Sequence, residues 1–212
     1  MSIELKSGAS TDLLSIDATS KAARVTLYNS EGRELAGKAT YSASSTFTPA
    51  ATPNNLVIIE GSATKVVRLV SLYFATTNTA AGSQTFFLKK YSTAATAGTF
   101  VPTTPVPFDS ADGAARVNRV GHFTVDPTPG TPVGTLCTRR VASPVLVPAT
   151  FAGVREDAGF DFFGDAMISA GLMGLPEPVT LRGVGQYVAV DFADAALVAG
   201  QIHAYTIVWT EE

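Results

Sequence analysis

Two histidines, one cysteine and a run of closely spaced acids are the residues of this chain best equipped for chemistry. His122 stands in Val120-Gly-His-Phe-Thr-Val125, and His203 lies in the last apolar run. A zinc site needs three or four ligands from clustered His, Cys or carboxylate side chains, and neither HExxH nor CxxC occurs. Two strand histidines that pack or face solvent are the simpler reading. Cys137 is the only cysteine, which removes an intramolecular disulfide framework and a cysteine-built metal site and fits a reducing compartment. The abundant serines come without a GxSxG elbow. Gly-rich phosphate cradles of the GxxxxGKS/T or GxGxxG type are missing as well.

Glu156, Asp157, Asp161 and Asp165 form the densest acidic series. A spacing of four would align carboxylates on a helix, but Gly159, Gly164 and the interleaved Phe160, Phe162 and Phe163 oppose one. The spacing also misses the EF-hand pattern, so solvated loop acids with core or contact phenylalanines are expected. Lys89-Lys90 and Arg139-Arg140 are the only basic doublets, read as solvated edges whose charge discourages edge-to-edge pairing. Trp209 reads as core. The expectation is a chain without catalytic residues, metal ligands or a cofactor.

Short strands must position these residues. Ala23 to Tyr28 alternates, with Ala23, Val25 and Leu27 on one face, and Leu13-Leu14-Ser15-Ile16 is a short strand before it. Residues 1–40 hold too little material for an independent core, so Leu13, Leu14, Ile16, Ala23, Val25 and Leu27 are the expected contacts of a docking arm. Ser, Thr, Ala and Pro dominate 41–54, which reads as an extended linker. Residues 55–212 then form the main domain, opening with Leu56-Val-Ile-Ile59. Lys65 to Thr76 is an apolar run with Val66, Val70, Leu72 and Phe74 on one face and Val67, Leu69 and Tyr73 on the other. A strand apolar on both faces needs cover on both, which makes Val67, Leu69 and Tyr73 an expected subunit interface. A β-bulge near Arg68 is the alternative that fits both sets into one subunit.

Ala94 to Ala115, with Pro102, Pro105, Pro107 and Asp109-Ser-Ala-Asp-Gly113, reads as a long loop. Arg116 to Val125, Gly134 to Val141, Val145 to Val147, Tyr187 to Phe192 and Gln201 to Thr210 read as strands, and Ala166 to Leu172 as one helical turn. Many short strands with regular turn signals and almost no helical period predict an all-β, jelly-roll-like β-sandwich with an extended N-terminal arm.

Composition narrows the partners. The 212 residues are 46% hydrophobic and only 16% charged, a low charge that favours packing against further copies. The net charge of −3 and a pI near 5.4 provide no basic field for nucleic acid or anionic membrane. No apolar signal core or run of ~20 apolar residues is present, so synthesis and assembly in a cytoplasm are expected.

Three passages together resemble small virion proteins of tailed bacteriophages: SGASTDLLSIDATSKAARVTLYNSEGREL, then IIEGSATKVVRLVSLYFATTNTAAGSQTFFLKKYS with the loop ending FDSADGAARV, and the ending GQIHAYTIVWTEE. The resemblance spans most of the chain. It implies a jelly-roll module with an N-terminal attachment segment, decorating a capsid as a cement or head-fibre protein, and often trimeric. The implied partners are further copies in a homotrimer and the major capsid protein or another virion protein, and the implied location is the virion, assembled in the host cytoplasm. A tail-fibre or baseplate protein that binds a host receptor or glycan through Phe160 to Asp165 is the alternative.

Overall fold

The alternation in the last strand shows how this sequence builds its sheets. Along Ile202–Glu211, the side chains of His203, Tyr205, Ile207, Trp209 and Glu211 are buried, and those between them are half-buried or exposed. Period-two patterning puts one set on one face. The computed structural model describes residues 15–16, 23–24, 38–49, 54–77, 82–143, 159–161, 178–192 and 201–212. It divides into two compact units, Met1–Gly37 and Lys38–Glu212. In the first, β1 (Ser15–Ile16) pairs antiparallel with β2 (Ala23–Arg24), and Ile16 and Ala23 are register partners. The other expected arm residues, Leu13, Leu14, Val25 and Leu27, lie outside the described residues.

The second unit is all-β among its described residues, with two antiparallel sheets packed as a sandwich. Its strands are β3 (Ala39–Phe47), β4 (Val57–Glu60), β5 (Val66–Thr77), β6 (Gly82–Tyr91), β7 (Thr99–Pro102), β8 (Val106–Pro107), β9 (Val120–Val125), β10 (Pro132–Ser143), β11 (Gly159–Asp161), β12 (Thr180–Arg182), β13 (Tyr187–Phe192) and β14 (Ile202–Glu211). One sheet runs β10-β6-β13-β4-β9-β7; the other runs β11-β5-β14-β3-β8, with β12 also on β5. Pairing is nested: β3 with β14, β4 with β13, β5 with β11 and β12, and β6 with β10. A long hairpin rolled up in this way is the jelly roll. Between β6 and β10, residues 92–131 form an insertion that adds β9 beside β4, β7 beside β9, and β8 beside β3.

Several expectations change. Much of the segment read as a linker, 41–54, is strand: Ala39–Phe47 pairs with β14 along its whole length. Tyr41, Ala43 and Phe47 supply its buried face, while Ser and Thr fill the rest. Residues 94–115 are not a plain loop, because β7 and β8 lie within them. Lys89 and Lys90 do not mark an edge, since β6 runs between β10 and β13; Arg139 and Arg140 do stand on a terminal strand, β10. Val145–Val147 and Ala166–Leu172 fall outside the described residues.

The two-faced reading of β5 is also corrected. Val208 partners Ser71 and Trp209 partners Leu69, so Val70 is an extra residue in a β-bulge. One extra residue reverses the alternation. Val67 and Leu69 before it and Leu72 and Phe74 after it therefore enter one core. Val67 and Leu69 are interior residues of this chain rather than a subunit interface; Tyr73 alone of that trio is exposed. The strands truly apolar on both faces are β4, with Val57 and Ile59 in the main core and Ile58 on the other side, and β13. Val188 and Val190 join the main core, while Tyr187 and Ala189 join a second cluster with Ile58, Tyr91, Ala95 and Phe123. Ala95 and Phe123 belong to the insertion, so the chain itself covers that outer face.

Candidate functional site

The two histidines fall on either side of one phenylalanine. Phe47 of β3 stacks on His122 at 4.4 Å between ring centroids and lies 5.4 Å from His203. His122 is placed by the pairing of β9 with β4, and its Nδ1 is 3.2 Å from the Tyr205 hydroxyl. That hydroxyl in turn lies 2.6 Å from Thr103 Oγ1 of the insertion. Burial lowers the His122 pKa. His203 is fully buried, with Phe74 at 4.9 Å and Phe86 at 5.8 Å, and neither ring nitrogen has a hydrogen-bond partner. Desolvation lowers its pKa to about 3. The ring therefore stays neutral at neutral pH. Among the described residues no three His, Cys, Asp or Glu side chains group to hold a metal ion.

Three buried carboxylates give the molecule a different kind of site. Asp191 on β13 accepts hydrogen bonds from the Asn55 backbone N–H at 2.7 Å and the Tyr91 hydroxyl at 2.7 Å, and pairs with Lys89 Nζ at 2.8 Å. Asn55 adopts a left-handed backbone, φ 48°, which asparagine tolerates better than most residues. Its side-chain amide donates to the Tyr187 hydroxyl at 3.0 Å, which also accepts from the Gly130 N–H at 3.0 Å. Tyr91 and Tyr187 stack at 4.5 Å with ring planes 5° apart. Burial raises both phenol pKa values; for Tyr91 the hydrogen bond to Asp191 adds to it. Gly130 has no room for a side chain, because a Cβ there would stand 1.8 Å from the Thr93 carbonyl oxygen.

Glu60 on β4 accepts from Arg119 in a two-pronged bond, Nε at 2.9 Å and Nη2 at 3.1 Å, and from the Asn118 amide. Glu211 at the end of β14 accepts from the backbone N–H groups of Arg116 at 2.9 Å and Val117 at 3.2 Å, and from Trp209 Nε1 at 3.1 Å. Glu60 and Glu211 thus sit on jelly-roll strands and hold residues 116–119, Tyr187 holds Gly130 near the end of the insertion, and Asp191 ties Asn55 to Lys89 and Tyr91 on β6. Charge-assisted bonds of this type are the strong ones. Glu60 and Glu211 fasten a 40-residue excursion, roughly 92–131, against the sheet it covers.

At the surface, residues 131–136 at the start of β10 are all exposed, including Val133 and Leu136. Both lie at register shifts against β6. At the other sheet ends, Val101, Val106 and Phe108 are exposed beside Pro102, Pro105 and Pro107. Of the acidic series, Asp161 is placed in β11, register partner of Tyr73, and Phe160 is partner of Phe74; Glu156, Asp157, Asp165, Phe162 and Phe163 lie outside the described residues. Trp209 is core, as expected. Compared with protein-family profiles, curated proteins and solved structures, the chain matches none.

Sequence reasoning missed Asp191, Glu60 and Glu211. Each is a single acid in an apolar strand, and that was the available signal, because an unpaired charge in such a strand is costly.

Proposed function

We propose that this protein is a non-enzymatic virion component that decorates a phage capsid through an N-terminal docking arm and a jelly-roll body. The observation that carries the reading is the body's architecture: a jelly roll whose buried acids and tyrosines serve to fasten its own insertion. The three resembling passages, the low charge and the separation of Met1–Gly37 as its own compact unit support it further. In this reading the arm attaches by adding a strand to a capsid edge, and further copies, as a homotrimer, multiply its effective affinity. The major capsid protein is the partner, the virion is the location, and assembly takes place in the host cytoplasm. Tyr73, Val133 and Leu136 replace Val67 and Leu69 as the apolar residues free to meet another chain.

Deleting residues 1–37 is the direct test, since the remaining unit holds both sheets. The truncated protein should stay folded by circular dichroism and lose binding to purified particles in co-sedimentation. Full occupancy on particles without the arm refutes the docking assignment. A map locating the protein on tail rather than head would shift the reading to a receptor-binding fibre or baseplate protein.

A further inference from the structure

Among the described residues, His203 is the one fully buried titratable side chain whose polar atoms all lack partners. Its cage, among the same residues, is Phe47 from β3, Phe74 and the register partner Thr76 from β5, and Phe86 from β6. The titratable or charged groups on these elements are few. His122 of β9 lies behind Phe47, Tyr205 is two residues along β14, and Arg139 of β10 is register partner of Phe86. On β13, Asp191 turns to the opposite face, where it bonds Tyr91 and Lys89. Asp161 on β11 is register partner of Tyr73. No carboxylate whose side chain is described is set against the imidazole.

We propose that His203, backed by His122 across the Phe47 ring, is an acid-operated latch whose protonation releases the end of the sandwich where β3, β5, β6 and β14 meet. A neutral imidazole fits the aromatic cage as an apolar ring does. An imidazolium there is shut off from solvent and meets no counter-charge among the described side chains, and burying an unpaired charge is strongly unfavourable. Leaving the cage restores its hydration, and the cage opens only if these four strands part. The linkage has one sign. Burial holds His203 at about 3 in the fold against 6.5 for the free group, so between those values the unfolded chain binds more protons. Stability from this group is complete above 6.5 and declines as pH falls through that window. His122, also lowered by burial, acts in the same direction.

The test is urea unfolding of the full chain between pH 7 and 4.5, for wild type, His203→Phe and His203→Leu. The wild-type unfolding constant should rise on the order of a hundredfold more than that of either variant. Equal pH slopes in all three overturn the latch, because the other acid-sensitive groups are common to them. If neither variant folds, wild-type imidazole NMR decides. A His203 ring still neutral at pH 5 in the folded state supports the proposal, and a ring that titrates near 6.5 while the domain stays folded overturns it. Hydrogen exchange at pH 5 should reach residues 74–77, 82–86 and 202–205 before 57–60 and 187–190; the reverse order refutes opening at this end.

Discussion

Asp191 and His203 are both nearly or fully inaccessible to water, yet they sit at opposite extremes of buried polar chemistry. Asp191 receives a backbone N–H, a phenol and an ammonium. His203 receives nothing. The difference lies in what each was buried to do. Asp191 joins segments far apart in sequence, Asn55 before β4 and Lys89 and Tyr91 on β6, so its hydrogen bonds are also tertiary fastenings. His203 fills space among phenylalanines and contributes to folding only as an apolar ring would. A buried acid with three partners makes the fold more specific, whereas a buried base with none makes it conditional on pH.

This contrast fixes the order of mutational effects. Asp191→Leu should cost most, about 3–5 kcal/mol, because it orphans the Asn55 N–H, the Tyr91 hydroxyl and Lys89 together. Urea denaturation measures it, and a loss under about 1 kcal/mol would place Asp191 with ordinary surface ion pairs. Tyr91→Phe removes one donor and keeps the stacked ring, so about 1–2 kcal/mol is expected. Its effect should largely vanish in the Asp191→Leu background, and full additivity would show that the two residues do not share a network. His203→Leu should show the smallest effect and the opposite sign, a gain of up to about 1 kcal/mol at pH 7.5, since an unpartnered polar ring gives way to an apolar side chain. A loss above about 2 kcal/mol would mean that the ring's shape matters more than its unmet hydrogen bonds.

The fold was legible wherever alternation was clean. Tyr187–Phe192 has the expected extent, the last strand lies one residue further on at each end than expected, and Trp209 is core. β3 was obscured because Ser, Thr and Ala occupy most of a strand whose neighbours, rather than its own hydrophobicity, hold it in the sheet. β5 misled through a single residue: without the bulge at Val70, its two apolar sets read as two faces needing a second subunit. The argument about double-sided cover was physically sound but belongs to β4 and β13, where Ile58, Tyr187 and Ala189 are covered by the insertion.

The sequence by itself determined the class, all-β with apolar strands and turn-rich joints, because period-two burial and turn chemistry act over a few residues. Only the tertiary structure decided the roles of the polar residues. Asp191 and Asn55 are 136 positions apart, and Glu211 meets Arg116 across 95. Whether a buried charge is satisfied depends on donors delivered from such distances by sheet pairing, and no local pattern encodes that meeting.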